Sequence, residues 1–249
     1  MHRERPANLK VRGPFAFRGT GAPAGEHGVS IVYQPIFRIA KHELAGHEAL
    51  ARFAEDPARR PPDQCFSEAA TRGLQEHFEL AAIRQALTGL AHFPSDTYVS
   101  FNISPQTLVD GPIEAVLDGH PLDRLMLEIT EHALVHDYPR VAAKLEPLRR
   151  KGLRLAVDDA GAGFASFRHI LELKPDVIKL DISLIRHIHL DAGRRALAAA
   201  LIRFARATGS AILAEGVESD AELDVLRQLK VNTAQGYLLG RPMPIEGAG

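Results

Sequence analysis

Apolar segments of strand length alternate with helical segments along most of the chain. The strand-like segments are 29–39, 44–53, 98–103, 125–129, 153–157, 177–180, 211–214 and 233–235, and the helical segments are 78–90, 139–150, 192–208 and 220–230. A polar turn at 40–43 joins the first two strands and predicts a hairpin. Alternating strands and helices predict a parallel sheet with helices outside it, and about eight strands close a TIM-type (β/α)8 barrel. An open doubly wound sheet is the alternative, although no strand is followed by a complete Gly-x-Gly-x-x-Gly motif.

Two loops interrupt this pattern. Residues 61–64, which begin with adjacent prolines, are expected to break the chain before the helix at 78–90. The strand at 153–157 is expected to stop at Asp158 and Asp159, before a loop that contains Gly161 and Gly163. Two adjacent carboxylates at the mouth of a core strand repel each other. They are tolerated where a cation neutralises them or where both side chains reach water.

The composition is typical of one soluble domain. With 249 residues, 45% hydrophobic and 24% charged, the chain can form a single large α/β core. Residues 1–28 are interpreted as a flexible tail or linker, which leaves 29–249 as the domain. A formal net charge of -1 favours neither DNA nor an anionic membrane. The single cysteine, Cys65, and the lack of a secretory signal or membrane-spanning apolar run predict a cytoplasmic protein.

Polar side chains gather at or near the carboxyl ends of the predicted strands. They are Glu48, Arg52, Asn102, Glu128, Glu131, Asp158, Asp159, Lys179 and Glu215. In a barrel these strand ends converge on one face, where enzymes of this architecture place their chemistry. Carboxylate and amide oxygens suit Mg²⁺ or Mn²⁺, and the histidines and thiols that zinc prefers are absent from the set.

The charge of this set implies that it binds cations. Two ions about 4 Å apart, bridged by a shared carboxylate, can clamp the attacking and leaving oxygens of a phosphoryl displacement. Lys179 lies within an apolar strand, where burial is costly unless the ammonium meets anions. The planar guanidinium of Arg52 can donate two parallel hydrogen bonds to a phosphate. The alternative is that Arg52 forms an ion pair with a neighbouring acidic residue.

Eight short segments match, in order, the motifs of one family. They are Tyr33-Gln34-Pro35-Ile36, Glu48-Ala49-Leu50-Ala51-Arg52, Asn102-Ile103-Ser104-Pro105, Glu128-Ile129-Thr130-Glu131, Asp158-Asp159, Lys179-Leu180-Asp181, Ala214-Glu215-Gly216-Val217-Glu218 and Gln235-Gly236-Tyr237-Leu238. From Ile31 to Pro244 the sequence resembles the EAL domain, a bacterial phosphodiesterase of cyclic di-GMP. Ala160 departs from the pattern, because phenylalanine usually follows the Asp pair. Altered packing of the following loop is expected, without loss of chemistry.

The resemblance implies a barrel whose first strand runs antiparallel to the others. It also implies hydrolysis of cyclic di-GMP to the linear dinucleotide pGpG by in-line attack of water, with two Mg²⁺ or Mn²⁺ ions. The first ion would be held by Glu48, Asn102, Glu128 and Asp158, and the second by Asp158, Asp159 and Glu215.

Further roles follow from the same resemblance. Lys179 would orient or deprotonate the attacking water, and Gln235 would order the water or the neighbouring metal ligands. Glu131 would anchor the loop at 159–166, which in the family couples catalysis to dimerisation, so a homodimer is expected. Substrate contacts are implied for Arg52, Gln34, Leu50 and Asp181, with a structural role as the alternative for Gln34.

Two other functions stay open. The chain could bind cyclic di-GMP or a protein partner without cleavage, although relatives of that kind usually lose metal-site residues and no matched ligand is missing here. It could also be an unrelated barrel metallohydrolase of another phosphate ester. Since no cyclase motif or sensory domain is present in the sequence, the enzyme either stands alone or is the catalytic part of a longer protein with a regulatory domain.

Three histidines are interpreted as structural. His47 should face away from Glu48, because neighbouring side chains of a strand point to opposite faces. His187 and His189 should lie in a helix-linking loop that faces water.

Overall fold

The computed structural model of the protein describes residues 28–53, 60–129, 135, 137–160 and 165–247, and the side chains of 159, 160, 165, 166 and 247 lie outside that description. Its strands are β1 (Ser30–Arg38), β2 (Glu43–Arg52), β3 (Tyr98–Asn102), β4 (Leu125–Ile129), β5 (Arg154–Ala160), β6 (Val177–Leu180), β7 (Ala211–Ala214) and β8 (Thr233–Ala234). Its α-helices are α1 (Pro62–Thr71), α2 (Gln75–Gly89), α3 (Pro105–Asp110), α4 (Ile113–Leu117), α5 (Tyr138–Arg150), α6 (Ala165–Leu173), α7 (Ile182–Ile185), α8 (Ala192–Thr208) and α9 (Asp220–Gln228).

The strands form a closed barrel in sequence order. β1 runs antiparallel to both of its neighbours, β2 and β8, while every other adjacent pair is parallel. The predicted (β/α)8 barrel with an antiparallel first strand is therefore confirmed, and the open doubly wound sheet is wrong.

Helices cover the outside of the barrel through two apolar clusters. On one side, side chains of α2 and α5 pack against outward residues of β3 and β4 such as Phe101 and Leu127. On the other side, α8 and α9 pack against outward residues of β6 and β7 such as Ile178 and Ile212. Each covering helix buries one apolar face, because its apolar residues recur at three- and four-residue spacing.

The barrel interior changes from apolar to charged along the strands. An apolar layer contains Ile36, Ala45, Tyr98, Met126, Ala156, Val177 and Leu213. Two residues further along the five parallel strands from β3 to β7 stand Ser100, Glu128, Asp158, Lys179 and Glu215. Because side chains of a strand alternate between its two faces, these residues point inward above the apolar layer.

Most predicted elements match the structure, and β4, β6, β7 and α8 match to the residue. The break predicted at residues 61–64 is wrong, because α1 begins at Pro62. Proline is well tolerated at the first position of a helix, where its missing N–H has no helical acceptor. The predicted stop at the Asp pair is also wrong, because β5 continues to Ala160, whose backbone pairs with Leu180.

Among the helices described above, none combines the length and the hydropathy that crossing a bilayer requires.

Candidate metal centre

Lys179 is the centre of a buried ionic cluster inside the barrel. Its side chain is 0% exposed, and its Nζ lies close to carboxylate oxygens from four other residues. The distances are 3.2 Å to Glu48 Oε1, 2.6 Å to Glu128 Oε2, 3.1 Å to Asp158 Oδ2 and 2.9 Å to Glu215 Oε1. The structure thus brings together residues that stand far apart in the sequence and that the sequence analysis assigned to one site.

This cluster contains more negative than positive groups, and the pKa values reflect the imbalance. Burial alone would lower the pKa of Lys179, but the four surrounding carboxylates raise it well above its ordinary value. Burial raises the pKa of Glu128 to about 8. Lys179 acts to lower this pKa, while the negative charges of Glu48 and Asp158 raise it further. Burial likewise raises the pKa of Glu215. Without another cation, the ammonium stays charged and protons take up part of the excess negative charge.

Three of these carboxylates are arranged so that a single cation could contact all of them. Glu48, Glu128 and Asp158 are buried, and each offers one oxygen within 4.8 Å of the oxygens of the other two. The Oε1 atom of Glu128 is buried and has no hydrogen-bond partner in the described part of the chain. The excess negative charge, this unpartnered oxygen and the all-oxygen donor set together fit a hard divalent cation such as Mg²⁺ or Mn²⁺.

Gln235 links two of the carboxylates. It directly follows β8, and its Nε2 donates to Glu48 Oε2 at 2.5 Å and to Glu215 Oε1 at 3.2 Å. Gly236 comes next, with φ +153°, and a Cβ at this position would lie 2.2 Å from the backbone N of Val217. Only glycine therefore fits at 236 without displacing the segment that carries Gln235. These two hydrogen bonds are the contacts that Gln235 would need in order to hold neighbouring metal ligands in place. The role itself stays a prediction.

A cavity of ≈ 1060 Å³ opens beside the cluster. Residues 48–52 of β2 all line it, Glu48, Leu50 and Arg52 among them, so side chains from both faces of this strand end border the cavity. Asn102, the last residue of β3, and Asp158 also line this cavity. The volume lies just above the usual range for ligand clefts, roughly 300–1,000 Å³.

Arg52 is half-buried in the wall of this cavity. Its Nη1 donates to the Ala51 carbonyl at 2.9 Å, and it forms no ion pair with the described acidic residues. Burial lowers the pKa of Arg52, while Tyr237 and Glu48 act in the opposite direction. Pairing with a neighbouring acid, the alternative to phosphate binding, therefore has no support in the described part of the chain.

The remaining predicted residues differ in what they contact. Gln34 is buried and donates through Nε2 to a backbone carbonyl of the C-terminal segment at 3.1 Å, which favours its structural role. Asp181 caps α7 by accepting from the Ser183 N–H at 2.8 Å. Asp159 extends β5, but its side chain lies outside the description, as does all of Glu131. Substrate contacts for Gln34 and Asp181, and the roles of Asp159 and Glu131, stay predictions.

Most of the chain matches the sequence model of a known family. The EAL domain model matches residues 24–242 of the chain. The chain belongs to the EAL domain family.

Curated EAL relatives are much longer than this chain. An uncharacterized signaling protein of Caulobacter vibrioides is 33% identical over 86% of the chain, which corresponds to 27% of that protein. The cyclic di-GMP phosphodiesterase NbdA of Pseudomonas aeruginosa is 31% identical over 86% of the chain and 29% of its own length. The chain therefore spans about a third or less of the curated relatives that it matches.

Solved EAL structures share the fold. A complex of the PaMucR phosphodiesterase with c-di-GMP has a TM-score of 0.79 and 27% identity, and the match covers 88% of this chain and 93% of that one. A manganese and c-di-GMP complex of Klebsiella pneumoniae BlrP1 has a TM-score of 0.76 and 28% identity, over 87% of this chain and 56% of that one.

Sequence reasoning missed Glu79, a buried carboxylate on α2 that lines the same cavity. Its Oε2 accepts from both the N–H and the hydroxyl of Ser104, at 3.1 Å and 2.8 Å. A signal was available, since Glu79 stands four residues before Ile83 and seven before Ala86 on the apolar face of the helix. A charged residue on such a face indicates a specific buried partner.

His47 and His187 lie as expected from the sequence, whereas His189 is half-buried with its Nδ1 inaccessible to solvent and does not face water as expected. His47 is buried on the face opposite Glu48 and stacks on Phe93, with ring centroids 3.9 Å apart. His187 and His189 lie in the connection between α7 and α8, where His187 is exposed and His189 is half-buried.

Proposed function

We propose that this chain is a metal-dependent phosphodiesterase that hydrolyses cyclic di-GMP to linear pGpG. The observation that carries the proposal is the buried cluster of four carboxylates around Lys179, beside a large cavity, in an EAL barrel. Relatives such as NbdA are named cyclic di-GMP phosphodiesterases, which supports the same substrate for this chain.

We propose two divalent cations, Mg²⁺ or Mn²⁺, at the carboxylate cluster. Glu48, Asn102, Glu128 and Asp158 would hold one ion, while Asp158, Asp159 and Glu215 would hold the other. The excess of carboxylates over ammonium groups supports more than one added positive charge. Bound in this way, the ions would supply Lewis-acid activation of a water molecule and stabilisation of the departing oxygen.

Lys179 would orient or deprotonate the attacking water. As an ammonium it donates hydrogen bonds that hold the water in place, and as a neutral amine it can accept a proton. Gln235 would keep Glu48 and Glu215 in place through its two hydrogen bonds to them.

Arg52 would bind a phosphate of the dinucleotide, because its planar guanidinium faces the cavity without an acidic partner among the described residues. Leu50 lines the same wall and would contact the ligand. Gln34 and Asp181 are proposed as more distant substrate contacts, and Glu131 as the anchor of the loop at 159–166.

The wider context of the chain is also proposed. Residues 29–249 would form the EAL domain after a flexible segment at 1–28, and the protein would act as a cytoplasmic homodimer. Because the chain spans about a third or less of its curated relatives, a regulatory domain or partner protein would control it.

The test is incubation of the purified protein with cyclic di-GMP and Mn²⁺, with the products separated by chromatography. Linear pGpG should form with Mn²⁺ and not with EDTA. The variant Glu48→Gln should lose turnover, whereas Glu146→Gln, an exposed site on α5, should keep it.

Two other outcomes would contradict the proposal. Tight binding of cyclic di-GMP without product over hours would make the chain a receptor. Preferential cleavage of a different phosphate ester, in a panel of cyclic and linear dinucleotides, would make it a metallohydrolase with another substrate.

A further inference from the structure

Glu79 joins α2 to the segment that leaves β3. The residue is buried, and each of its carboxylate oxygens accepts a hydrogen bond from a protein donor. Oε1 accepts from Gln75 Nε2 at 2.8 Å, while Oε2 accepts from the Ser104 N–H at 3.1 Å and from its hydroxyl at 2.8 Å. Since protein donors already engage both oxygens, the carboxylate acts as a support for the chain around Ser104 rather than as a free acid in the cavity.

Asn102 stands two residues before Ser104, at the point where β3 ends. The backbone between them is tied on both sides, because the Ile103 N–H donates to the Glu128 carbonyl at 3.0 Å and Ser104 bonds to Glu79. The Asn102 side chain itself makes no hydrogen bond within the described part of the chain. The backbone therefore sets where this exposed side chain starts, and the amide oxygen is left available to a ligand.

We infer that Glu79 is a positioning residue that holds Asn102 at the carboxylate cluster. The inference rests on the proposed function, in which Asn102 is a ligand of the first ion. A carboxylate suits this task, because hydrogen bonds to an ionised acceptor are shorter and about twice as strong as neutral ones. Mutation of a residue that supports a metal ligand without binding the metal itself typically weakens metal affinity by about 10–100-fold.

The experiment measures Mn²⁺ affinity by titration of the full chain, which reports on the metal site independently of turnover. Glu79→Ala should weaken the affinity about 10–100-fold. Glu79→Gln keeps one acceptor oxygen for Ser104 and should restore most of the affinity. Ser104→Ala removes the hydroxyl but keeps the N–H, so it should give a smaller loss than Glu79→Ala.

Asp176→Ala is the matched control. Asp176 also accepts a backbone N–H, from Leu155 at 2.8 Å, and pairs with Arg149 at 3.1 Å, but it lies at the amino end of the barrel strands, away from the cluster. This variant should be less stable to heat and should bind Mn²⁺ as the wild-type chain does. The comparison separates a loss of stability from a loss of ligand positioning.

The outcomes are distinguishable. If the wild-type chain binds no Mn²⁺, the proposed function fails and the role of Glu79 fails with it. If the wild-type chain binds Mn²⁺ and folded Glu79→Ala binds it equally well, the role of Glu79 alone is refuted. Should Glu79→Ala not fold, Ser104→Ala decides, and an unchanged affinity in that variant overturns the inference.

Discussion

Replacing Lys179 with methionine tests the charge balance of the cluster. With every carboxylate ionised, the four carboxylates and one ammonium would carry a formal charge of −3, and the substitution would make it −4. In EDTA, protons on Glu128 and Glu215 reduce both charges, but Lys179→Met still removes the cation that the remaining carboxylates face. Removing one partner of a buried ion pair costs about 3–5 kcal/mol, because the remaining charge is left uncompensated. At about 2–4 °C per kcal/mol for a chain of this size, the variant should unfold roughly 6–20 °C below the wild type in EDTA.

Divalent cations should reverse much of that loss. A ligand present at 100 times its dissociation constant stabilises the folded state by about 2.7 kcal/mol, and the added negative charge should strengthen cation binding. Thermal unfolding followed by circular dichroism should therefore show a larger rise in Tm on addition of Mn²⁺ for Lys179→Met than for the wild type.

Lys144→Met is the control, because Lys144 pairs with Glu114 at 2.7 Å on the partly exposed surface. Such pairs contribute about 0–1 kcal/mol, and cations should not change the effect. Equal stability of Lys179→Met and the wild type in EDTA would refute the charge argument. An equal rise in Tm on addition of Mn²⁺ for Lys179→Met and for the wild type would also refute the charge argument.

Three further predictions concern the surroundings of the cluster. Gln235→Leu removes the donor to Glu48 and should weaken Mn²⁺ affinity by about 10–100-fold in a titration. Gly236→Ala places a methyl group against the Val217 backbone and should cost about 1–3 kcal/mol or more in urea unfolding. Burial would raise the pKa of Glu222, but backbone N–H donors lower it overall. Its stabilising effect should therefore be present at neutral pH and lost as the pH falls below about 4, and Glu222→Gln should reduce this acid dependence of stability.

The inward-facing half of the site could be predicted because a strand repeats every two residues. In the segment Val177-Ile178-Lys179-Leu180, the alternation places Lys179 on the inner face with Val177, while Ile178 and Leu180 pack against helices. The same period places Glu48 inside the barrel beside Lys179 and its neighbour His47 on the outer face against Phe93. Local periodicity and barrel closure together determine which side chains meet.

Contacts that depend on long-range packing could not be predicted in this way. The link between Glu79 and Ser104 joins residues 25 positions apart, and no local pattern specifies which buried donor a helical carboxylate meets. The extension of β5 through Asp158 also escaped prediction, since pairing with β6 overrides the low strand propensity of aspartate.

Anomalous scattering from a crystal soaked in Mn²⁺ tests most directly whether divalent cations occupy the carboxylate cluster. Two peaks about 4 Å apart should lie among the oxygens of Glu48, Glu128, Asp158 and Glu215. No peak at the cluster, with Lys179 still bonded to all four carboxylates, would contradict the account.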